Sequence, residues 1–300
     1  MVSPKTAFKM GMVPIKAVSR TIGMLRNPPL SGKKRSPFLS KNALFIELWR
    51  TATPHAPRRI GKKEFLTIEA FNDYIMVIDD TLDKLGHPDI DKDYLKYKTI
   101  PGAKKRISGF VKSVKGLDLT KEEKARMLKA AGEFRRTAFH TLRKFYAGNI
   151  HNLDNIIKMK EETSGETGRM TVRLLNITGR VPQEESHRVE DACTAAFMAT
   201  QIADDIYDLR EDMESGTPNI AFGILQSHPQ ELKHVMAMGR PSLKLLKEVC
   251  PQSTKQIMEL YNGYLGKIPT TGDIQSIIIF PIIFMKLLSL TRRNYNTIVK

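Results

Sequence analysis

An all-α fold is what this sequence predicts, and three observations carry that prediction. Apolar residues recur at three- and four-residue steps from about residue 38 onward. Runs that alternate apolar and polar residues, as half-buried strands do, are missing. Start and stop signals for helices punctuate the long periodic stretches. With 300 residues, 41% of them hydrophobic, the chain can bury a large core as a single-domain helical bundle. No apolar run reaches the ~20 residues that span a bilayer. The longest, "IIIFPIIFMKLLSL" (277–290), is broken by Pro281 and Lys286 and reads as a buried core helix.

Taken in order, the chain opens with a basic extension over 1–37, ahead of a helical domain over 38–300. From Met1 to Phe45 there is no Asp or Glu, while lysines and arginines accumulate toward a net charge of +16 for the whole chain. "NPPLSGKKRSP" reads as a linker or turn. Nucleic acid, an anionic membrane and a phosphorylated substrate would each be drawn to such a segment. A targeting peptide is a fourth reading. "AFKMGMVPIKAVSRTIGMLR" mixes apolar and well-spaced basic residues as interfacial helices do, so peripheral contact with anionic membrane is expected. The expected compartment is cytoplasmic, with organellar import through the N-terminus left open, and a homodimer is compatible with the sequence.

"FLSKNALFIELWRTA" and "EFLTIEAFNDYIMVIDDTLDKL" are the first amphipathic helices. Thr120 and Glu123 form a capping box that opens a long helix ending near Gly148. "NLDNIIKMKEETSGETGRMTVRLLNITG" is helical but carries Gly165 and Gly168 in its middle, predicting a kink or a close helix approach. Another long helix is expected from about 183 to 214, and three or four more fill 221–300. Cys193 and Cys250 lie on apolar stretches without metal-ligand spacing and read as reduced packing residues.

Two acidic clusters interrupt these otherwise apolar helices. "IDDTLD" holds Asp79, Asp80 and Asp83, with 79 and 83 on one face. "QIADDIYDLREDMESGTPN" (201–219) repeats aspartate at 204, 208 and 212, with Asp205 and Glu211 crowding in. Each like-charge pair at that spacing costs roughly 0.2–0.5 kcal/mol, so a cation is expected to neutralise it. Neither histidine nor cysteine accompanies the clusters, which excludes a zinc reading and favours Mg²⁺, a hard ion that joins carboxylates to substrate phosphates. Asp79, Asp80, Asp83, Asp204, Asp208 and Asp212 are the candidate metal ligands. Asp205 joins Asp79, Asp80, Asp83, Asp204 and Asp208 as a candidate catalytic carboxylate.

These motifs resemble the class I isoprenoid synthase superfamily. That resemblance implies helices around a central apolar cavity, an allylic prenyl diphosphate substrate, and three Mg²⁺ ions gathered around its diphosphate. The second motif is most similar to that of squalene and phytoene synthases, falling on Gln201, Asp208, Glu211, Asp212 and Gly216. Asp204 and Asp205 also complete the DDxxD of the trans-prenyl diphosphate synthases. "SGETGRMTVRLL" looks like the glycine helix of the squalene/phytoene side, which makes Arg173 a candidate diphosphate contact. "FPIIFMKLLSLTRRNY" resembles its C-terminal helix and adds Arg292 and Arg293. Gln201 is a further candidate substrate contact, and Phe71 and Phe197 are candidates for the cavity wall, as is Phe145.

The sequence also departs from that pattern. Met159 stands where squalene-type enzymes carry a tyrosine, and Met76 and Val77 stand where they place arginines. Both departures weigh against head-to-head coupling. The main expectation is nonetheless Mg²⁺-dependent ionisation followed by prenyl coupling or terpene formation. Chain elongation with isopentenyl diphosphate is the alternative, its N-terminal motif echoed by "SGKKRSP". A rival of another class is a non-catalytic basic helical protein that binds nucleic acid or membrane. Nucleic acid is not the expected partner, because no aromatic-interleaved basic motif is present.

Overall fold

The computed structural model describes residues 49, 52–53, 56–58, 60–85, 102–147, 152–237 and 243–269, and every regular element among them is helical. The basic extension, most of the first expected helix, and the C-terminal "FPIIFMKLLSLTRRNY" with Arg292 and Arg293 lie outside the described residues.

Helices α1 (Lys62–Leu85) and α2 (Ala103–Lys115) run antiparallel. Their register shows in the ring pairs Phe71–Phe110 at 5.5 Å and Tyr74–Phe110 at 5.2 Å, and in Val77 against Ala103. Arg58 clips the ends together: it pairs with Glu64 at 3.2 Å and bonds the backbone carbonyl of Asp118. Phe71 is fully buried in this aromatic cluster, a burial that contributes about 2–3 kcal/mol. It packs in the hydrophobic core. Phe145 is buried as well.

Helix α3 (Lys121–Ala147) opens on the expected capping box. The Thr120 N–H donates to Glu123 Oε2 at 2.8 Å, and the Glu123 N–H donates to Thr120 Oγ1 at 3.1 Å. That backbone bond, helped by Arg180, holds the Glu123 carboxyl below its ordinary value. Next comes one interrupted rod: α4 (Leu153–Lys160), a single π turn (Glu161–Gly165) and α5 (Glu166–Gly179). The interruption expected at the glycines is therefore a change of helix type that ends on Gly165, three residues before Gly168.

Helix α6 (Gln183–Tyr207) lies at the centre, with α5 antiparallel beside it. Its small residues Ala192, Ala196, Ala199 and Ala203 are all buried, which lets neighbours close in on several sides. Gly165 and Gly168 are the counterpart on the rod. A Cβ at 168 would fall 2.5 Å from the ring of Phe197, so only glycine permits this approach. The remaining helices are α7 (Leu209–Ser215), α8 (Ile220–Gln226), α9 (Pro229–Ala237), α10 (Leu243–Val249) and α11 (Pro251–Gly266). Cys193 and Cys250 are buried and free. Among the described residues no helix is long and apolar enough to cross a membrane.

Candidate functional site

The acidic end of α6 is built from the backbone outward. One continuous helix was expected to run from 183 to 214, but the chain bends at Asp208, whose φ of −93° and ψ of 4° end α6 and begin α7. Two long-reach bonds bridge the bend: the Asp208 N–H donates to the Asp204 carbonyl at 2.8 Å, and the Asp212 N–H to the Asp208 carbonyl at 2.9 Å. Asp204, Asp208 and Asp212 therefore keep the four-residue phase of a helix, and all three are partly buried.

Asp205 points the other way. Its side chain is 1% exposed, yet both oxygens are satisfied. Oδ1 receives the Lys160 ammonium at 3.2 Å and the Gln201 amide N–H at 2.6 Å. Oδ2 receives the Ile220 N–H at 2.6 Å, a donor at the start of α8 where the helix dipole also favours a negative charge. The other end of the Gln201 amide accepts from the Ser164 hydroxyl at 2.7 Å. Both oxygens of Asp205 and both ends of the Gln201 amide are thus engaged within the protein.

Asn219 completes the frame. Its Oδ1 caps α8 by accepting from the Phe222 N–H at 2.9 Å. Its amide N–H₂ donates to the Asp205 carbonyl at 2.7 Å and to Asp212 Oδ2 at 2.8 Å. Burial pushes the Asp212 carboxyl above its ordinary value; Asp205 and Asp208 add to the shift, while Asn219 and Lys160 oppose it. The π turn is pinned from two sides. The Tyr264 hydroxyl donates to Glu161 at 2.7 Å, and the Thr141 hydroxyl donates to Glu162 at 2.7 Å. Burial, reinforced by Glu161, raises the Tyr264 phenol far above its usual range.

Arg173 is not brought to this end. Its guanidinium donates twice to Glu190, at 3.0 and 3.2 Å, in a chain that continues through Ser186 and Asn176 to buried Trp49. Glu190 lies about four turns, roughly 22 Å, along α6 from Asp205. Arg173 and Glu190 tie α5 to α6. Phe197 is partly buried against Gly168. Asp79, Asp80 and Asp83 lie on α1, with 79 and 83 a turn apart, and their side chains are outside what the structure describes.

Among the described residues, no three His, Cys, Asp or Glu side chains converge closely enough to hold a metal ion unaided. The donor set near the bend is oxygen only, and the charge of Asp208 disfavours that of Asp212. Both features suit a hard cation that draws further oxygens from a ligand. Sequence reasoning missed Lys160, Ser164 and Asn219. Only Asn219 carried a local signal, as an Asn just ahead of the apolar run "IAFGIL".

No family model matches the chain, and no curated protein matches it. Solved structures do. A geranylgeranyl pyrophosphate synthetase from Pyrococcus horikoshii Ot3 superposes with a TM-score of 0.58 at 14% identity, covering 90% of this chain and 95% of that one. One from the archaeon Geoglobus acetivorans gives 0.58 at 10% identity, covering 90% and 96%. A geranylgeranyl pyrophosphate synthase from Corynebacterium glutamicum ATCC 13032 gives 0.52 at 12% identity, covering 95% of each. At these identities the likeness speaks for the fold, and the chain has the all-α isoprenoid synthase fold.

Proposed function

We propose that this chain is a prenyltransferase that ionises an allylic prenyl diphosphate at the acidic end of α6 and extends it with isopentenyl diphosphate. The observation that carries the reading is the run Asp204, Asp208, Asp212, held in helical phase across the bend. Solved proteins of the same fold named as geranylgeranyl pyrophosphate synthases move elongation ahead of the squalene/phytoene-like coupling that the sequence first favoured. Coupling keeps one argument, the Gln201–Asp208–Glu211–Asp212–Gly216 pattern.

In this reading Asp204, Asp208 and Asp212 hold Mg²⁺ together with Asp79, Asp80 and Asp83 of α1. Bound Mg²⁺ would take up the negative charge that develops on the departing diphosphate. Asp205 and Lys160 neutralise each other beneath the motif and so fix its backbone without competing for the substrate. Buried Ile202 and Ile206 keep that side of the helix dry.

The test supplies purified protein with Mg²⁺ and farnesyl diphosphate, with and without isopentenyl diphosphate, and follows diphosphate release and products. Release that needs isopentenyl diphosphate and yields a chain one isoprene unit longer supports elongation. Hydrocarbon formed without it overturns elongation in favour of coupling or cyclisation. Absence of turnover with geranyl, farnesyl and geranylgeranyl diphosphates alike overturns the enzyme reading.

A further inference from the structure

We infer that the outer face of α2, with the adjoining end of α1, is a docking surface for an anionic lipid bilayer, and this stands apart from the reaction proposed above. Helix α2 reads "AKKRISGFVKSVK" and contains no acidic residue. At 100° per residue, Lys104, Lys105, Lys112 and Lys115 fall within about 100° of its circumference, centred near Ser108. All four lysines and Ser108 are exposed. The opposite face is spoken for: Ala103, Phe110 and Val114 are buried. The stripe is therefore rigidly mounted, about 16 Å long, and aimed at solvent.

A second observation distinguishes the partner. Leu66 on α1 is 45% exposed, one of the large apolar residues the fold leaves out, and exposed Lys62 and Lys63 precede it by a turn. The antiparallel register and the Arg58–Asp118 clip put this end of α1 beside the Lys112–Lys115 end of α2. Lys62 and Lys63 flank the projecting leucine on one side, while the acidic Glu69 and Asp73 lie one and two turns further along α1, away from the Lys112–Lys115 end. A leucine beside lysines at that end suits a surface with anionic headgroups above and acyl chains below. It offers nothing to a phosphodiester strand. The rings that would stack bases, Phe71, Tyr74 and Phe110, are all buried, so RNA or DNA is the poorer fit.

The experiment uses the full chain and co-sedimentation with vesicles of phosphatidylcholine alone or mixed with phosphatidylglycerol. Binding should require phosphatidylglycerol and weaken with salt. K104Q/K105Q/K112Q/K115Q should lower partitioning by about five-fold per lysine removed. A charge-matched control, K129Q/K144Q/K247Q/K255Q, removes exposed lysines from α3, α10 and α11 and should change it far less. Leu66→Ser should weaken binding without altering its salt dependence. A local readout comes from Ser108→Cys carrying an environment-sensitive dye, since both native cysteines are buried. Its emission should shift to the blue on mixing with anionic vesicles. Equal losses in the two lysine variants, an unchanged dye spectrum, or binding of generic RNA in place of vesicles would each overturn the assignment.

Discussion

Lys160 and Asp205 meet at 3.2 Å in the interior, the ammonium from the last residue of α4 and the carboxylate from one turn before the bend in α6. The side chains are 12% and 1% exposed, so water screens neither charge effectively. Removing one partner leaves the other buried without compensation, which typically costs about 3–5 kcal/mol. Lys160→Met and Asp205→Asn should each lower the unfolding free energy measured by urea denaturation by an amount in that range. The double variant should recover part of the loss. Additive losses in the double-mutant cycle would deny the coupling.

Asp208 offers the opposite outcome. It sits beside other carboxylates, and removing one such repulsion stabilises a helix by a few tenths of a kcal/mol. Asp208→Asn should hold or slightly raise the melting temperature while sharply lowering Mg²⁺-dependent diphosphate release. Full activity in a folded Asp208→Asn protein would remove this carboxylate from the reaction.

Two glycines on neighbouring helices predict opposite signs. Gly168→Ala drives a Cβ to within 2.5 Å of the Phe197 ring, and overpacking of that kind costs about 1–3 kcal/mol. Gly132→Ala, on α3, meets nothing within 4 Å and should stabilise by up to about 1 kcal/mol through helix propensity. Thermal denaturation of the pair checks both.

The raised Asp212 carboxyl sets a pH dependence. A carboxyl with a higher pKa folded than unfolded holds its proton more tightly when folded. Its stabilising contribution is complete below the unfolded value and is lost as pH rises through the folded one. Asp212→Asn keeps an acceptor for Asn219 and removes the titration. The variant should therefore gain on the wild type as pH climbs from about 4 to 7. A melting-temperature difference that stays flat across that range would contradict the shift.

What was legible in the sequence was local. The Thr120–Glu123 box spans three residues, and the four-residue phase of the aspartates survives the bend because backbone bonds carry it across. The glycines announced a close approach, although their partners, Thr194 and Met198 for Gly165 and Phe197 for Gly168, could not be read. Contacts between distant positions were not legible. Nothing near Lys160 says that it meets a carboxylate on another helix, and nothing near Arg173 says that Glu190 claims it. The break at Asp208 was hidden for a related reason: "IYDLRED" is acceptable helix, and Asn219, which bonds to Asp205 and Asp212 on either side of the break, lies outside that stretch.

The π turn at Glu161–Gly165 sets a phase relation along its rod. One additional residue in a helical turn advances everything beyond it by about 100°. Lys160 before the turn and Gly168 after it both face α6 only because of that offset. On an ordinary helix the eight steps from Lys160 to Gly168 would leave them about 80° apart, whereas absorbing one residue in the wide turn brings them to within about 20°. The turn thus works as an indexing device: it hides one extra residue so that two contacts with the same helix stay in line.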